Sequence, residues 1–530
     1  MKVIVGKKAW QLCLMSVLVT LFSTGCPSTE SERDDSEVIL INQSGPVGTL
    51  AIPENGKVTA PEGKQVTMTK DHVETGFEAG ATYKNVYLTV TDDIPLPYTN
   101  TANADGTWAM NYRTALLVDD DGVSSGKSVK DAVISGEYDN NSATGVNIIS
   151  NGENFNGIIV TGNKEYTIKD AVIRMTGNGG NDFKGFGAAI LAVGKSKVVV
   201  DNADIETRGV VRTALVAGQG AKVLVKNSVF VTRDGVQDPG YVGTVDTAGM
   251  KSVPWMLGLD GNCRATNLLN DAVITYYNSD ISAEKWGVLS TDENDGLTLT
   301  AVNSTVKITG NSGYGTYSIG DTQVTFAGVE LTVPDYAAIC ANGGSSVTFT
   351  SSDAANIAGI YGLDGETVTS KKTVINTQRF GVMYHSSSGT GVTKINSGTE
   401  LHTGLTTFLV KGCPANIEAD GAVITSGSKV ILQLMDNDDA GIDVANNMST
   451  TVNYVEPDFT QVLVAGRDLT SAIKGTDVTA IFKDMTLEGD IYNSSGYAEM
   501  SAPPPPAAWI NSAADVGGGL STALNRGGVF

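Results

Sequence analysis

A unit of about two dozen residues recurs along this chain and constrains its fold more than any other feature. It is most regular where Gly320, Gly343, Gly365, Gly389 and Cys413 lie 23, 22, 24 and 24 residues apart. A short apolar stretch precedes each of these positions, and an alternating stretch follows most of them. A fixed period of roughly 20 to 50 residues is typical of solenoid proteins. The repeat therefore predicts a stack of similar coils.

Asparagine marks a second regularity. Asn202 and Asn227 are 25 residues apart, as are Asn278 and Asn303. Asparagine tolerates left-handed backbone, and its amide can bond to the neighbouring coil, so we expect these side chains to form a ladder. Between them lie short segments rich in Val, Thr and Ile, bounded by Gly, Asn, Asp and Ser, as β-strands are. This pattern excludes helical and leucine-rich solenoids and predicts an all-β solenoid.

The coil length, the asparagine positions and an approximate G-x-x-V-x-V-x-N-S-x-V-x-T pattern give the chain a family resemblance. It resembles the pectin-lyase-like right-handed parallel β-helices of bacterial surface proteins and polysaccharide-acting enzymes, over roughly residues 80 to 490. The resemblance implies a single-stranded right-handed parallel β-helix. It implies little about activity, because one fold can carry unrelated functions.

The first residues look like an export signal. Lys2, Lys7 and Lys8 precede an apolar stretch, residues 9–22, that is too short to span a bilayer. The stretch closes with LFSTGC, which resembles a bacterial lipobox, with Ser23 standing where the motif prefers an aliphatic residue. Cys26 is then the expected lipidation site, and secretion without lipid is the alternative. We expect a bacterial envelope protein, exported and held at the outer membrane or cell surface by its lipid.

The remaining boundaries follow from composition. We expect a signal peptide in 1–25, a disordered acidic tether in 26–45, an N-terminal cap in 46–80 and the β-helix in 81–500, with an irregular insertion at 238–277. A Pro-rich segment, 501–530, ends the sequence. Cys263, Cys340 and Cys413 are expected to be buried free thiols.

Charge limits the partners. The chain has 58 acidic and 36 basic residues, a net charge of −22, which argues against nucleic acid and anionic membrane surfaces as partners. No cofactor is indicated, although acidic clusters could hold calcium. The alternative is that they are solvated turns. The candidate metal ligands are Asp292, Asp295, Asp436 and Asp438, and a further cluster spans residues 119–121.

Three arginines are candidates for catalysis. Arg208 and Arg233 each follow a ladder asparagine by six positions, and Lys285 follows Asn278 by seven, so stacked coils would form a basic stripe. Lyases of the resembled family use Arg or Lys as the base that removes a proton beside a uronate carboxylate. Arg264, in the insertion, is the third candidate. The Gly-His-Gly pattern of the hydrolases is absent from the sequence.

The insertion and the strand after it also carry aromatic residues that could stack on sugar rings. The candidate ligand-binding residues are Trp255, Arg264, Tyr276, Tyr277, Lys285 and Trp286. The alternative is that they cover the flank of the solenoid. The favoured function is a non-catalytic, adhesin-like module whose partner is a polysaccharide, another glycan or extracellular matrix. A polysaccharide lyase or glycoside hydrolase acting on an acidic polysaccharide is the second hypothesis, and a structural spacer is the third.

Overall fold

A computed structural model gives the fold. It describes residues 19–22, 37–71, 73–92, 112–128, 134–254, 257–292, 296–341, 344–385, 390–411, 413–435, 442–443, 448–449, 460–464, 467–468, 478–487 and 490–493. The chain divides into two compact units, Met1–Asp93 and Ile94–Phe530. In the described ranges, no helix is both long enough and apolar enough to cross a membrane.

The N-terminal unit is built mainly from antiparallel strands. Thr82–Asp92 pairs with both Gly45–Ala51 and Lys64–Lys70. The sequence had placed the β-helix from residue 81, but this strand belongs to the N-terminal unit because its partners do. Its core contains Ile39, Ile41, Leu50, Ile52, Met68, Val86 and Leu88. The strands are Val19–Phe22, Glu37–Ile41, Gly45–Ala51, Gly56–Thr59, Lys64–Lys70, Val73–Thr75 and Thr82–Asp92.

The second unit is a stack of parallel strands arranged in three rows, which we name sheets 1, 2 and 3. Each full repeat contributes one strand to each sheet, and every strand pairs with its counterpart in the next repeat. Ser142–Asn151 joins sheets 2 and 3, because its first part pairs with Glu165–Lys169 and its later part with Val172–Thr176. The result is an all-β, solenoid-like arrangement.

The strands of the three sheets are as follows. Sheet 1 contains Arg113–Asp119, Phe155–Val160, Ile190–Ala192, Leu215–Ala217, Arg264–Leu268, Gly287–Thr291, Tyr314–Ile319, Tyr336–Ala341, Phe380–His385, Phe408–Lys411, Val430–Met435 and Asp490–Asn493. Sheet 2 contains Glu165–Lys169, Lys197–Asp201, Lys222–Lys226, Val273–Tyr277, Leu297–Val302, Thr322–Ala327, Ser346–Thr350, Gly391–Ile395, Ala415–Asp420, Val478–Lys483 and Thr460–Val464. Sheet 3 contains Val172–Thr176, Asp204–Arg208, Val229–Arg233, Asp280–Ala283, Thr305–Ile308, Glu330–Val333, Thr373–Thr377, Thr399–Thr403 and Val423–Ser426.

A few short elements lie outside these rows. Gly122–Val123 and Ile134–Tyr138 pair antiparallel with the strands beside them, and Ile442–Asp443 pairs with Met448–Ser449. Arg467–Asp468 pairs antiparallel with Thr460–Val464. Ser125–Lys127 is a 3-10 helix and Ala354–Ile357 is a short α-helix.

Columns of apolar side chains fill the interior between the sheets. In sheet 2, Val198, Val223, Ile274, Leu299 and Val324 stack in register, and each is at most 1% exposed. Parallel strands lie about 4.8 Å apart, so identical positions in successive repeats are in contact. The alternating pattern of the sequence sends every second side chain into this core.

The asparagine ladder is confirmed in its backbone conformation, and one direct hydrogen bond joins two of its members, while Asn303 Nδ2 donates instead to Thr369 O. Asn202, Asn227, Asn278 and Asn303 all adopt the left-handed backbone, with φ between 50° and 54°. The Asn278 Nδ2 donates to Asn227 Oδ1 at 2.8 Å, and the Asn202 Nδ2 donates to Asp170 Oδ1 at 2.6 Å. The ladder therefore fixes the turn between sheets 2 and 3 in successive repeats.

A strap, residues 353–372, crosses the outer face of sheet 2. Leu363 packs on Leu224, Val302 and Ala327, and Tyr277 lies against the same cluster. The strap corrects part of the repeat analysis, because Gly365 falls inside it and does not mark a coil. Val347 of one repeat pairs with Thr393 of the next, so a single repeat spans 46 residues here.

The insertion predicted at 238–277 is shorter than expected. Arg264–Leu268 and Val273–Tyr277 are regular strands that pair in register with Leu215–Ala217 and Lys222–Lys226. The irregular segment between strands therefore runs from 234 to 263. Together with the loop at 177–189, it packs on the outer face of sheet 1, where Phe183, Phe186, Leu257 and other apolar side chains are buried.

Candidate functional site

Arg264 is the centre of a buried charged cluster on the outer face of sheet 1. Its Nε donates to Asp182 Oδ2 at 2.9 Å, and its Nη1 donates to Asp292 Oδ2. The side chains of Arg264 and Asp182 are only 2% and 1% exposed. The cluster therefore joins Asp182 in a loop, Arg264 at the start of a sheet 1 strand, and Asp292 just after the next sheet 1 strand.

Aromatic rings enclose the guanidinium. The Arg264 Cζ lies 4.9 Å from the ring centroid of Phe183 and 4.7 Å from that of Trp286. Burial alone would lower the pKa of Arg264, but the charge of Asp182 and the contact with Tyr314 outweigh it, and the pKa is raised. Arg264 is thus held in its charged form, which is opposite to the requirement for a general base.

Two of the aromatic residues predicted to stack on sugars are buried. Trp286 is 1% exposed and Tyr276 is 0% exposed, with the Tyr276 hydroxyl 2.5 Å from Thr266 Oγ1. Tyr277 is partly buried beside the strap. As the chain is folded here, Trp286 and Tyr276 present no face to a ligand, which corrects the expectation of an exposed stacking platform. Trp255 lies outside the described residues.

Arg208 and Arg233 lie together on sheet 3. They are directly paired in register and both are exposed. The Arg233 Nε donates to Glu206 Oε1 at 2.8 Å, and this hydrogen bond raises the pKa of Arg233. Sheet 3 is therefore the place where two of the three candidate arginines meet, whereas Arg264 lies on sheet 1.

The predicted basic stripe ends after these two arginines. The Glu284 N–H donates to Thr232 O at 2.8 Å, so Glu284 follows Arg233 in the column. Lys285 is one residue further along, in the turn, with its Nζ 3.9 Å from Asp260 Oδ2. Lys285 follows its ladder asparagine by seven residues instead of six, so it does not stack on Arg208 and Arg233.

The outer face of sheet 3 is open to solvent. In Val172–Thr176, Asp204–Arg208 and Val229–Arg233, residues that point outward alternate with buried ones, and both ends of each strand are exposed. The sheet 1 strands Arg264–Leu268 and Gly287–Thr291 are instead buried at every position. Sheet 1 is thus covered on its outer side, while sheet 3 offers a solvent-exposed surface of charged side chains and valines.

The metal candidates divide between described and undescribed residues. Asp292 is engaged by Arg264, whereas Asp295, Asp436 and Asp438 lie outside the described residues, as does the lipidation candidate Cys26. Across the ranges that the structure describes, no group of three or more His, Cys, Asp or Glu side chains could hold a metal ion. In the 119–121 cluster, the Asp119 carboxylate accepts a hydrogen bond from the Asp121 N–H. The Asp120 carboxylate accepts one from the Asn163 N–H, so both carboxylates stabilise turns.

The sequence indicated neither Asp182, which is buried, nor Asp234, which is half-buried. Asp182 lies in the glycine-rich segment 177–187, which has no strand pattern and no repeat position to mark it. Burial raises the pKa of Asp234 to about 6. A hydrogen bond from the Asn262 N–H partly offsets this rise, and the neighbouring charge of Glu284 adds to it. Asp182 meets Arg264, and Asp234 meets Asn262, only in the folded chain. Cys263, Cys340 and Cys413 are buried, as predicted.

No protein-family model, curated protein or solved structure matches this chain.

Proposed function

We propose that this protein is an exported bacterial lipoprotein whose repeats form a right-handed, single-stranded parallel β-helix and whose role is to bind a glycan without cleaving it. Three parallel sheets stacked in register and a ladder at one turn support the β-helix. The lipobox-like sequence ending at Cys26 and the acidic segment after it support the anchor and tether.

The open face of sheet 3 is the observation that carries the binding proposal. Strands there repeat about every 4.8 Å, so the face can follow an extended polymer across several repeats. Arg208 and Arg233 are adjacent on it, and an arginine can hold a carboxylate or sulfate through two parallel hydrogen bonds. Exposed Val172 and Val229, at 38% and 41%, add apolar contact area.

The charge of the chain limits the kinds of glycan that can bind. A net charge of −22 repels a dense polyanion at long range. On sheet 3 itself, Glu206 pairs with Arg233 and Asp204 pairs with Arg174, so part of the positive charge of this face is neutralised. The ligand that fits is therefore a glycan with widely spaced acidic groups in a largely neutral chain.

The lyase hypothesis requires an arginine that gives up its proton. The pKa of Arg233 is raised by Glu206, and that of Arg264 is raised overall by its acidic and phenolic neighbours despite its burial. Both pKa shifts keep the arginine protonated, and a protonated arginine cannot act as a general base. Binding is consequently the proposed function, and cleavage is an outcome that the assay below can reveal.

The test measures binding of the full chain to immobilised acidic polysaccharides, with wild type, Arg208→Ala and Arg233→Ala. Loss of one charge-assisted contact of about 1.5 to 3 kcal/mol predicts at least a tenfold weaker affinity for each variant. Lys197→Ala is the matched control, because Lys197 pairs with Glu165 at 2.7 Å on sheet 2, much as Arg233 pairs with Glu206.

Two results would contradict the proposal. An equal loss of affinity in Lys197→Ala would mean that only overall charge matters, and undiminished binding in both arginine variants would remove sheet 3 from the site. Absorbance from newly formed unsaturated sugar ends would show a lyase instead of a binding protein.

The anchor is tested separately. Metabolic labelling with a tagged fatty acid is expected to label the wild type and not Cys26→Ser. A wild-type protein that takes up no label, and is recovered in the medium, would replace the lipid anchor with plain secretion.

A further inference from the structure

Three carboxylates gather where the chain leaves sheet 3 after Arg233. The Asp234 N–H donates to Glu284 Oε2 at 3.2 Å, and Glu284 follows Arg233 in the column of the next repeat. Asp260, in the irregular segment that follows, faces the same turn. Lys285 is a partner for one of the three acids, with its Nζ 3.9 Å from Asp260 Oδ2. The turn therefore carries more negative than positive charge.

The Asp234 carboxyl is largely shielded from water. Its Oδ2 accepts from the Asn262 N–H at 3.2 Å, while its Oδ1 is buried and has no hydrogen-bond partner among the residues that the structure describes. The Asn262 side chain also bonds to both backbone groups of Gly235, at 2.9 Å each, which fixes the turn around the carboxyl. A carboxylate in this position loses hydration without gaining a full set of hydrogen bonds, so its ionised form is disfavoured.

Charged neighbours act on Asp234 from the two elements packed against it. Burial has the largest effect and raises the pKa of Asp234 to about 6; the charges of Glu284 and Asp260 raise it as well, and that of Lys285 lowers it. The Cys263 thiol also faces Asp234, but burial raises its pKa well above the ordinary value, so the thiol stays neutral. Asp234 therefore changes charge between about pH 5 and 7, whereas an ordinary aspartate does so near about pH 4.

Glu284 connects this turn to the proposed binding surface. A hydrogen bond from the Arg233 Nε to Glu206 raises the pKa of Arg233, and the charge of Glu284 raises it further. Glu284 is thus within electrostatic reach of both Arg233 and Asp234. When Asp234 ionises, a second negative charge is added on this side of the guanidinium, which weakens its attraction for an acidic group of a ligand.

We propose that a proton on Asp234 regulates glycan binding at Arg233, so that the protein holds an acidic glycan more tightly when Asp234 is neutral than when it is ionised. This inference rests on the binding function proposed for sheet 3. Linkage between two ligands is reciprocal, so a bound anion makes Asp234 easier to protonate, and binding takes up protons between about pH 5 and 7. The change of one charge near a partly exposed arginine predicts an affinity about two- to fivefold higher at about pH 5 than at about pH 7.

Isothermal titration calorimetry of the full chain with a sulfated galactan of low charge density tests the proposal. Sulfate keeps its charge across this pH range, so a change in affinity comes from the protein. In buffers of different ionisation enthalpy, the wild type should show net proton uptake on binding near about pH 6. Asp234→Asn keeps an acceptor for the Asn262 N–H but removes the charge, so it should bind equally well at both pH values and take up no protons. Circular dichroism checks that the variant folds.

His402→Asn is the control, because histidine is the other side chain that changes charge between about pH 5 and 8, and His402 lies on the same sheet. This variant should keep the pH dependence of the wild type. Wild-type binding without proton uptake, or a pH dependence that persists in Asp234→Asn, would overturn the regulation and leave the binding function intact. Absence of binding at both pH values would contradict the binding function itself, and this inference with it.

Discussion

Replacing Arg264 with methionine should strongly destabilise the second unit. Methionine keeps much of the side-chain volume between Phe183 and Trp286 but removes the charge. The carboxylates of Asp182 and Asp292 would then face each other in a buried site without a cation. Their side chains are 1% and 9% exposed, so water cannot take the place of the guanidinium.

The expected size of the effect follows from this burial. Breaking a buried ion pair by removing one partner costs about 3 to 5 kcal/mol. This corresponds to an increase of roughly two hundred- to five thousand-fold in the unfolded fraction. Arg233→Ala breaks an ion pair of similar length whose side chains are 44% and 40% exposed, and such surface pairs contribute about 0.2 to 1 kcal/mol.

Urea unfolding followed by circular dichroism measures the free energy of unfolding for wild type, Arg264→Met and Arg233→Ala. Hydrogen exchange locates the loss, which should appear first in the loop at 182–187.

Two outcomes would refute this reasoning. One is a loss in Arg264→Met that is no larger than in Arg233→Ala. The other is a loss that does not shrink when Asp182→Asn and Asp292→Asn are added, because the destabilisation would then come from packing and not from uncompensated charge.

Three further predictions follow from the structure. Asn227→Ala should lower the free energy of unfolding in urea by about 1 to 2 kcal/mol, because alanine is strained at a φ of 52° and cannot bond to Asn278. Asn227→Gly should lower it less, and equal losses in the two variants would argue against backbone strain. Burial raises the pKa of Asp234 from 3.8 to about 6. Its protonated form therefore stabilises the fold below about pH 4, and this contribution is lost as the pH rises through 6. Asp234→Asn should flatten that part of the plot of unfolding free energy against pH, and an unchanged plot would contradict the assignment. Leu363→Ala should loosen the strap, seen as faster protease cleavage within 353–372, and cleavage at the wild-type rate would mean that its apolar contacts do not hold it.

The regular part of the fold was predictable because it depends on local patterns. Strands with period-two alternation, and asparagines with a fixed spacing, predicted the all-β stack and the ladder. The strap was not predictable, because its GIYGL sequence has the same apolar pattern as a strand, and the Gly365 spacing fits the repeat by coincidence. What separates the strap from a strand is its packing on Leu224 and Val302, which are distant in sequence.

The site was predicted only in part, for a similar reason. The structure brings Arg264, Asp292 and Trp286 together, but as a buried cluster and not as a binding surface. Amphipathic strands show which side chains point away from the core, yet they do not show what covers them. The burial of Trp286 depends on the loop carrying Asp182 and Phe183, and its sequence indicates neither a strand nor a partner.

Hydrogen exchange in the presence of an acidic polysaccharide tests the central proposal most directly. Binding along the open face predicts that added protection appears in Asp204–Arg208 and Val229–Arg233 and is lost in Arg208→Ala. Protection confined to the segment 234–263, or no protection in a chain shown to bind the polymer, would contradict the assignment of sheet 3 as the binding surface.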